Sequence, residues 1–238
     1  MTYVSMSSVT RIYVTLAVVV SCLVMGCSSE EKTADPIPAD LAMIESATEA
    51  AFDKALAGDV PAVQEQARQL SEAWTRYQPQ ASRDGVPASA LQQLAAAVQG
   101  FVTAAANRSV SAIDVARAAN AISAPLDEIY AVYKPPIPTQ LLKLDYLGRE
   151  VVLDAKQGDF RRASGDVDRL DSTWQSLRAN VVSSGGGGTA GQMDASIAAQ
   201  RTAIAGNNAT NLEAAARQEL EVVDSIEQIF AKSADTAD

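Results

Sequence analysis

The two tryptophans of the chain, Trp74 and Trp174, stand one hundred residues apart, and the spacing is not isolated. Gly58-Asp59 recurs as Gly158-Asp159, Leu70 as Leu170, Asn107 as Asn207, Arg117 as Arg217 and Ile129-Tyr130 as Ile229-Phe230. Self-similarity at a fixed period is the mark of one structural unit used twice. Alanine matches carry no weight in so alanine-rich a chain, but rarer residues in register do. The segment Lys134 to Thr139 (KPPIPT) breaks helix and joins the copies.

Each copy reads as four helices. Alanine, the best helix former, occurs in runs such as Ala95-Ala96-Ala97, and aromatic residues make up only 5% of the chain. The first helices cover about 40–57 and 139–157, with Leu41, Ile44, Thr48, Ala51 and Ala55 on helical spacing in one and Leu141, Leu144, Leu147 and Val151 in the other. Gly58 and Gly158 can end them in the left-handed conformation, and Asp59 and Asp159 can cap the second helices. Those second helices carry a heptad seam: Val60, Val63, Ala67, Leu70, Trp74 and Tyr77, matched by Phe160, Ala163, Val167, Leu170, Trp174 and Leu177. Such seams favour helices packed at shallow angles. Breaker-rich loops are expected at 79–87 and 183–191. Third helices come next, at about 88–106 and 190–205, and Ser111 with Asp114, and Thr210 with Glu213, resemble capping boxes for the fourth.

The fold expected is therefore all-α: two tandem antiparallel four-helix bundles from an internal duplication with a period of about 100 residues. The domains are 1–26 as a signal peptide, 27–39 as a lipidated tether, 40–134 as the first bundle and 139–233 as the second. An eight-helix solenoid is the rival, since Gly158-Asp159-Phe160 with Ala163 resembles the turn of a tetratricopeptide repeat.

The N-terminus has its own logic. Ile12 to Met25 is an apolar run of fourteen residues preceded by Arg11. That is short of the ~20 residues needed to span a bilayer, and it fits the core of a signal peptide. The ending Leu23-Val24-Met25-Gly26-Cys27 resembles the lipobox of bacterial lipoproteins. The resemblance implies acylation of Cys27, cleavage before it and a membrane anchor. Ser28 rather than aspartate after the cysteine points to the outer membrane, facing the periplasm, if the host has two membranes. Residues 28–38 (SSEEKTADPIP) read as a flexible tether.

Composition excludes most chemistry. Histidine is absent, which removes the usual general base and the commonest metal ligand. The only cysteines are Cys22 and Cys27, so the body has no thiol chemistry. A formal charge of −10 argues against nucleic acid as a partner. No Gly-x-Ser-x-Gly elbow or EF-hand loop is present. Asp166, Asp168 and Asp171, and Glu219, Glu221, Asp224 and Glu227, are expected on solvated faces, interleaved with Arg161, Arg162, Arg169 and Arg217. Asn120 has Leu220 as its counterpart and is assigned no role.

The functional expectation is a non-catalytic envelope lipoprotein acting as an interaction, scaffold or accessory protein. It would be held to a membrane by lipid on Cys27 and bind a protein partner, with no metal and no cofactor. The alternative is a small-ligand-binding lipoprotein using a bundle interior or the cleft between the copies. Trp74 and Trp174 are the candidates to line such a pocket, although their place on the core-facing seam favours packing over a ligand role.

Overall fold

The computed structural model describes residues 36–235. The signal-peptide segment and Cys27 lie outside them. Among the described residues every regular element is helical: α1 (Ala39–Leu56), α2 (Val60–Asp84), α3 (Ala88–Ala106), α4 (Ala112–Asn120), α5 (Leu126–Ala131), α6 (Gln140–Gln157), α7 (Phe160–Ser183), α8 (Gly187–Ala205) and α9 (Ala209–Asp235). The described residues are all-α, as expected. No helix among the described residues is long and apolar enough to cross a membrane.

Neighbours in the chain pack as neighbours in space, and each set closes on itself. α1 packs on α2 and α4, and α3 packs on α2 and α4; likewise α6 packs on α7 and α9, and α8 on α7 and α9. In a solenoid the first and fourth rods of a set would not meet. The paired corners use the same devices. Gly58 and Gly158 turn the chain at φ +71° and +68°. Asp59 then accepts the Ala62 N–H at 3.2 Å, and Asp159 accepts the Arg162 N–H at 3.0 Å. Leu70 and Leu170 are both fully buried.

Several local expectations give way to backbone physics. The loop expected at 79–87 is mostly helix, because α2 runs to Asp84 with Pro79 inside it. Pro79 lies on an exposed face, so the Thr75 carbonyl that loses its amide partner can turn to water. Gly85, at φ +84°, ends the helix instead and donates its N–H to the Ala81 carbonyl. The glycine run contracts to a turn at 184–186, and α8 begins at Gly187. At Gly186 a Cβ would stand 2.7 Å from Val181 Cγ1 and 2.8 Å from Ile229 Cδ1. That glycine is there for close packing rather than mobility.

The fourth rod of the first bundle is broken into α4, a 3-10 turn at Ala121–Ser123 and α5. Pro125 is the cause, having no N–H and a ring that collides with the preceding turn. Ser111 does cap α4, accepting the Asp114 N–H at 3.1 Å. The cap expected at Thr210 lies instead at Asn208, whose Oδ1 accepts the Asn211 N–H at 3.0 Å. Glu213 faces Lys156 at 3.0 Å and Arg217 at 2.9 Å.

Large side chains fill both interiors. Tyr77, Phe101, Leu94 and Ile129 are buried in the first bundle, and Leu144, Leu170, Trp174 and Met193 in the second. Each such burial contributes about 1.5–3 kcal/mol before conformational entropy is subtracted.

Candidate functional site

The helix that matters most for any site is α6. From Leu147 to Ala155 every residue is buried, so no face of this stretch meets solvent. It packs on α7 and α9 within its own bundle and on α4 and α5 of the other. Yet its sequence, Asp145-Tyr146-Leu147-Gly148-Arg149-Glu150-Val151-Val152-Leu153-Asp154, carries four charges. Buried charges need partners, and the structure supplies them across the joint between the bundles.

Arg117 of α4 donates from Nη1 to Glu150 and from Nη2 to Asp154 Oδ1 at 2.8 Å and Gln157 Oε1 at 3.0 Å. Arg162 of α7 donates to Glu150 Oε2 at 2.8 Å, with its Nε 3.4 Å from Asp154 Oδ1. Arg169 of α7 pairs with Asp166. The Asn120 amide of α4 donates to the Tyr146 carbonyl at 3.0 Å and to Glu150 Oε1 at 2.9 Å. One helical step away, Arg149 reaches Glu49 of α1 at 3.0 Å, Ser123 Oγ at 3.3 Å and Asp145 at 3.5 Å.

Glu150, Asp154 and Asp166 are all buried, and each offers an oxygen within 4.8 Å of the others. Three buried carboxylates at this spacing are a donor set for a hard cation. The charge balance decides against that use. Arg117, Arg162 and Arg169 already supply one positive charge per carboxylate. A divalent ion would leave the joint with an uncompensated excess in a low-dielectric setting. Asp154 and Asp166 each keep one buried oxygen, Oδ2, without a donor. Burial, and then a hydrogen bond with Asp166, push the Asp154 carboxyl up to about 7, against the pull of Arg117.

On another face of α6, Glu219 of α9 is fully buried, and neither carboxyl oxygen has a hydrogen-bond partner. It fits because residue 148 is glycine: a Cβ there would collide with the Glu219 carboxyl and stand 2.7 Å from Leu220 Cδ2. Burial, and secondly the nearby Asp145 charge, hold the Glu219 pKa well above its ordinary value, while Arg149 pulls the other way.

No family model, curated protein or solved structure matches the chain.

The residues singled out from sequence fall in different places. Trp74 is only half-buried, and it meets Tyr77 edge-on at a centroid distance of 6.4 Å. Tyr77 takes the inward position and shares a 3.1 Å hydrogen bond with the Tyr133 hydroxyl. Trp174 is fully buried, and its indole N–H donates to Asp194 Oδ1 at 2.7 Å. The two tryptophans lie in separate bundles, and the structure does not bring them together. Cys27 lies outside the described residues.

Two expectations about the acids are corrected. Asp168 and Asp171 do face outward, paired with Arg201 at 3.0 and 2.9 Å. Asp166 and Glu219 do not; they are 1% and 0% exposed. Asn120, assigned no role, is wholly buried in the joint. The signals that point to it are visible afterwards: a glycine in mid-helix at 148, charges dispersed among apolar residues around α6, and an asparagine opposite a leucine counterpart.

Proposed function

We propose that this chain is an exported lipoprotein, anchored by acyl chains on Cys27, whose two bundles form a non-catalytic interaction module of the cell envelope. The observation that carries the non-catalytic part is the ionic joint. The densest cluster of ionisable groups, Glu150, Asp154, Asp166, Arg117 and Arg162, is engaged in holding helices together. Its three carboxylates are buried, so a substrate would have to part packed helices to reach them. Those groups therefore act on architecture, fixing how one bundle presents itself beside the other.

The anchor is supported by Leu23-Val24-Met25-Gly26-Cys27 and the short apolar run before it. Acylation with more than one chain anchors stably, at about 0.8 kcal/mol for each buried CH₂. The shared devices at Gly58-Asp59 and Gly158-Asp159 support descent of the two bundles from one duplicated unit.

The test is metabolic labelling with a clickable palmitate analogue in the native host, comparing the wild type with Cys27→Ala. Label and membrane fractionation in the wild type alone support the anchor; equal label in both rejects it. Native mass spectrometry of gently extracted envelope complexes then tests the module. A stoichiometric protein complex supports it, and a bare chain carrying turnover of an added substrate pool refutes it.

A further inference from the structure

One corner of the first bundle differs from its counterpart in the second. The corner joins the α1–α2 turn at Gly58 to the connection between α3 and α4. That connection is residues 107–111, whereas the equivalent link between α8 and α9 is only 206–208. The residue after the capping aspartate also differs. It is Phe160 in the second bundle, packed against the core, and Val60 in the first, which is 45% exposed. A longer link and a smaller side chain leave a cleft of about 450 Å³. Its floor is apolar, with Val60, Val63, Ala105, Val110 and Val115 among its walls, and Arg108 is its single charged residue.

The charge is the informative part. The chain carries ten more negative than positive charges, and its arginines are mostly paired with acids. Arg108 has no ion-pair or hydrogen-bond partner among the described residues. Its guanidinium is thus a free cation at an apolar hollow whose volume is that of a small-molecule site, about 300–1,000 Å³.

We propose that this cleft binds an anionic amphiphile: one acyl chain laid against the apolar walls, with its carboxylate or phosphate head on Arg108. The two heads share the chemistry that a guanidinium recognises, a compact anion with paired acceptor oxygens. The inference is independent of the lipoprotein reading, because it uses only residues of the described body.

The experiment is calorimetric titration of the full-length Cys27→Ala chain, whose own anchor cannot then compete, with dodecanoate, dodecyl phosphate and dodecyltrimethylammonium below their micellar concentrations. Saturable binding of an anionic probe, and not of the ammonium, is expected. Arg108→Ala should weaken it about fivefold, as for an exposed ion pair. Val60→Phe, which installs the residue found at position 160, should abolish it. Both changes are at exposed positions, and unchanged thermal unfolding confirms that the fold survives. The preferred anion distinguishes a carboxylate from a phosphate source. Binding of neither anion, equal binding of the ammonium, or binding undiminished in both variants overturns the proposal.

Discussion

Glu219 is where the structure makes its sharpest energetic claim. Its carboxyl is fully buried over Gly148, with neither oxygen hydrogen-bonded. A buried polar group left unsatisfied costs about 1–3 kcal/mol. Replacement by methionine, similar in length and flexible enough to use the notch, removes that cost and adds apolar contact. Glu219→Met is therefore expected to stabilise the chain by about 1–3 kcal/mol near neutral pH. For a body of this size that is about 2–4 °C in Tm for each kcal/mol.

The pH dependence supplies a second reading of the same group. Its folded pKa is raised far above the unfolded value of 4.5. The folded state therefore holds the proton more tightly than the unfolded state does. Stability from this source is complete below the unfolded pKa and is lost as pH rises towards the folded one. Glu219→Gln keeps the shape and the unsatisfied polarity but removes the proton. It should flatten the fall in stability as pH rises from the unfolded pKa of 4.5 towards the folded one, whereas Glu219→Met should both flatten and raise it. Urea unfolding across that range, followed by circular dichroism, measures both. A Glu219→Met chain less stable than wild type by more than about 1 kcal/mol at every pH would refute the reasoning. It would mean that the carboxyl makes a favourable interaction.

Three further outcomes are expected around α6. Gly148→Ala should cost at least about 1–3 kcal/mol through collision with Glu219 and Leu220, and Glu219→Ala in the same chain should recover most of it; a full double-mutant cycle by urea melts measures the coupling. Arg117→Ala leaves Glu150 and Asp154 with Arg162 as their remaining guanidinium, and should cost about 3–5 kcal/mol in chemical denaturation. Asp154, raised from 3.8 to about 7, favours folding at low pH and loses that contribution as pH rises towards 7; Asp154→Asn should reduce the slope of stability against pH across that window.

The sequence was most legible where a signal is local. The left-handed glycines 58 and 158, the aspartate caps 59 and 159 and the limits of α3 depend on residues within one turn, and all are where the pattern places them. Proline was harder to read. Pro79 is tolerated on an exposed helix face, while Pro125 breaks a buried rod, and only the surroundings tell them apart. The ionic joint was the least legible. Helix periodicity assigns a charged residue to solvent, and the Leu147–Ala155 stretch of α6 has no solvent face because other helices cover it on every side. Asp166 and Glu219 were misplaced for the same reason, since burial there is decided by helices distant in sequence. Trp74 shows the limit of a seam argument: α2 is rotated so that Ala73 and Tyr77 point inward, and the tryptophan lies at the rim.

The joint through α6 is expected to make the two bundles one cooperative body, and the tryptophans are natural reporters of each half. Urea unfolding of Trp174→Phe reports the first bundle through Trp74, and unfolding of Trp74→Phe reports the second through Trp174. If the joint couples the bundles, tryptophan fluorescence and far-ultraviolet circular dichroism will give one coincident transition within each variant. Two separated transitions, with fluorescence following only one of them, would contradict the account and make the bundles independent domains on a shared chain.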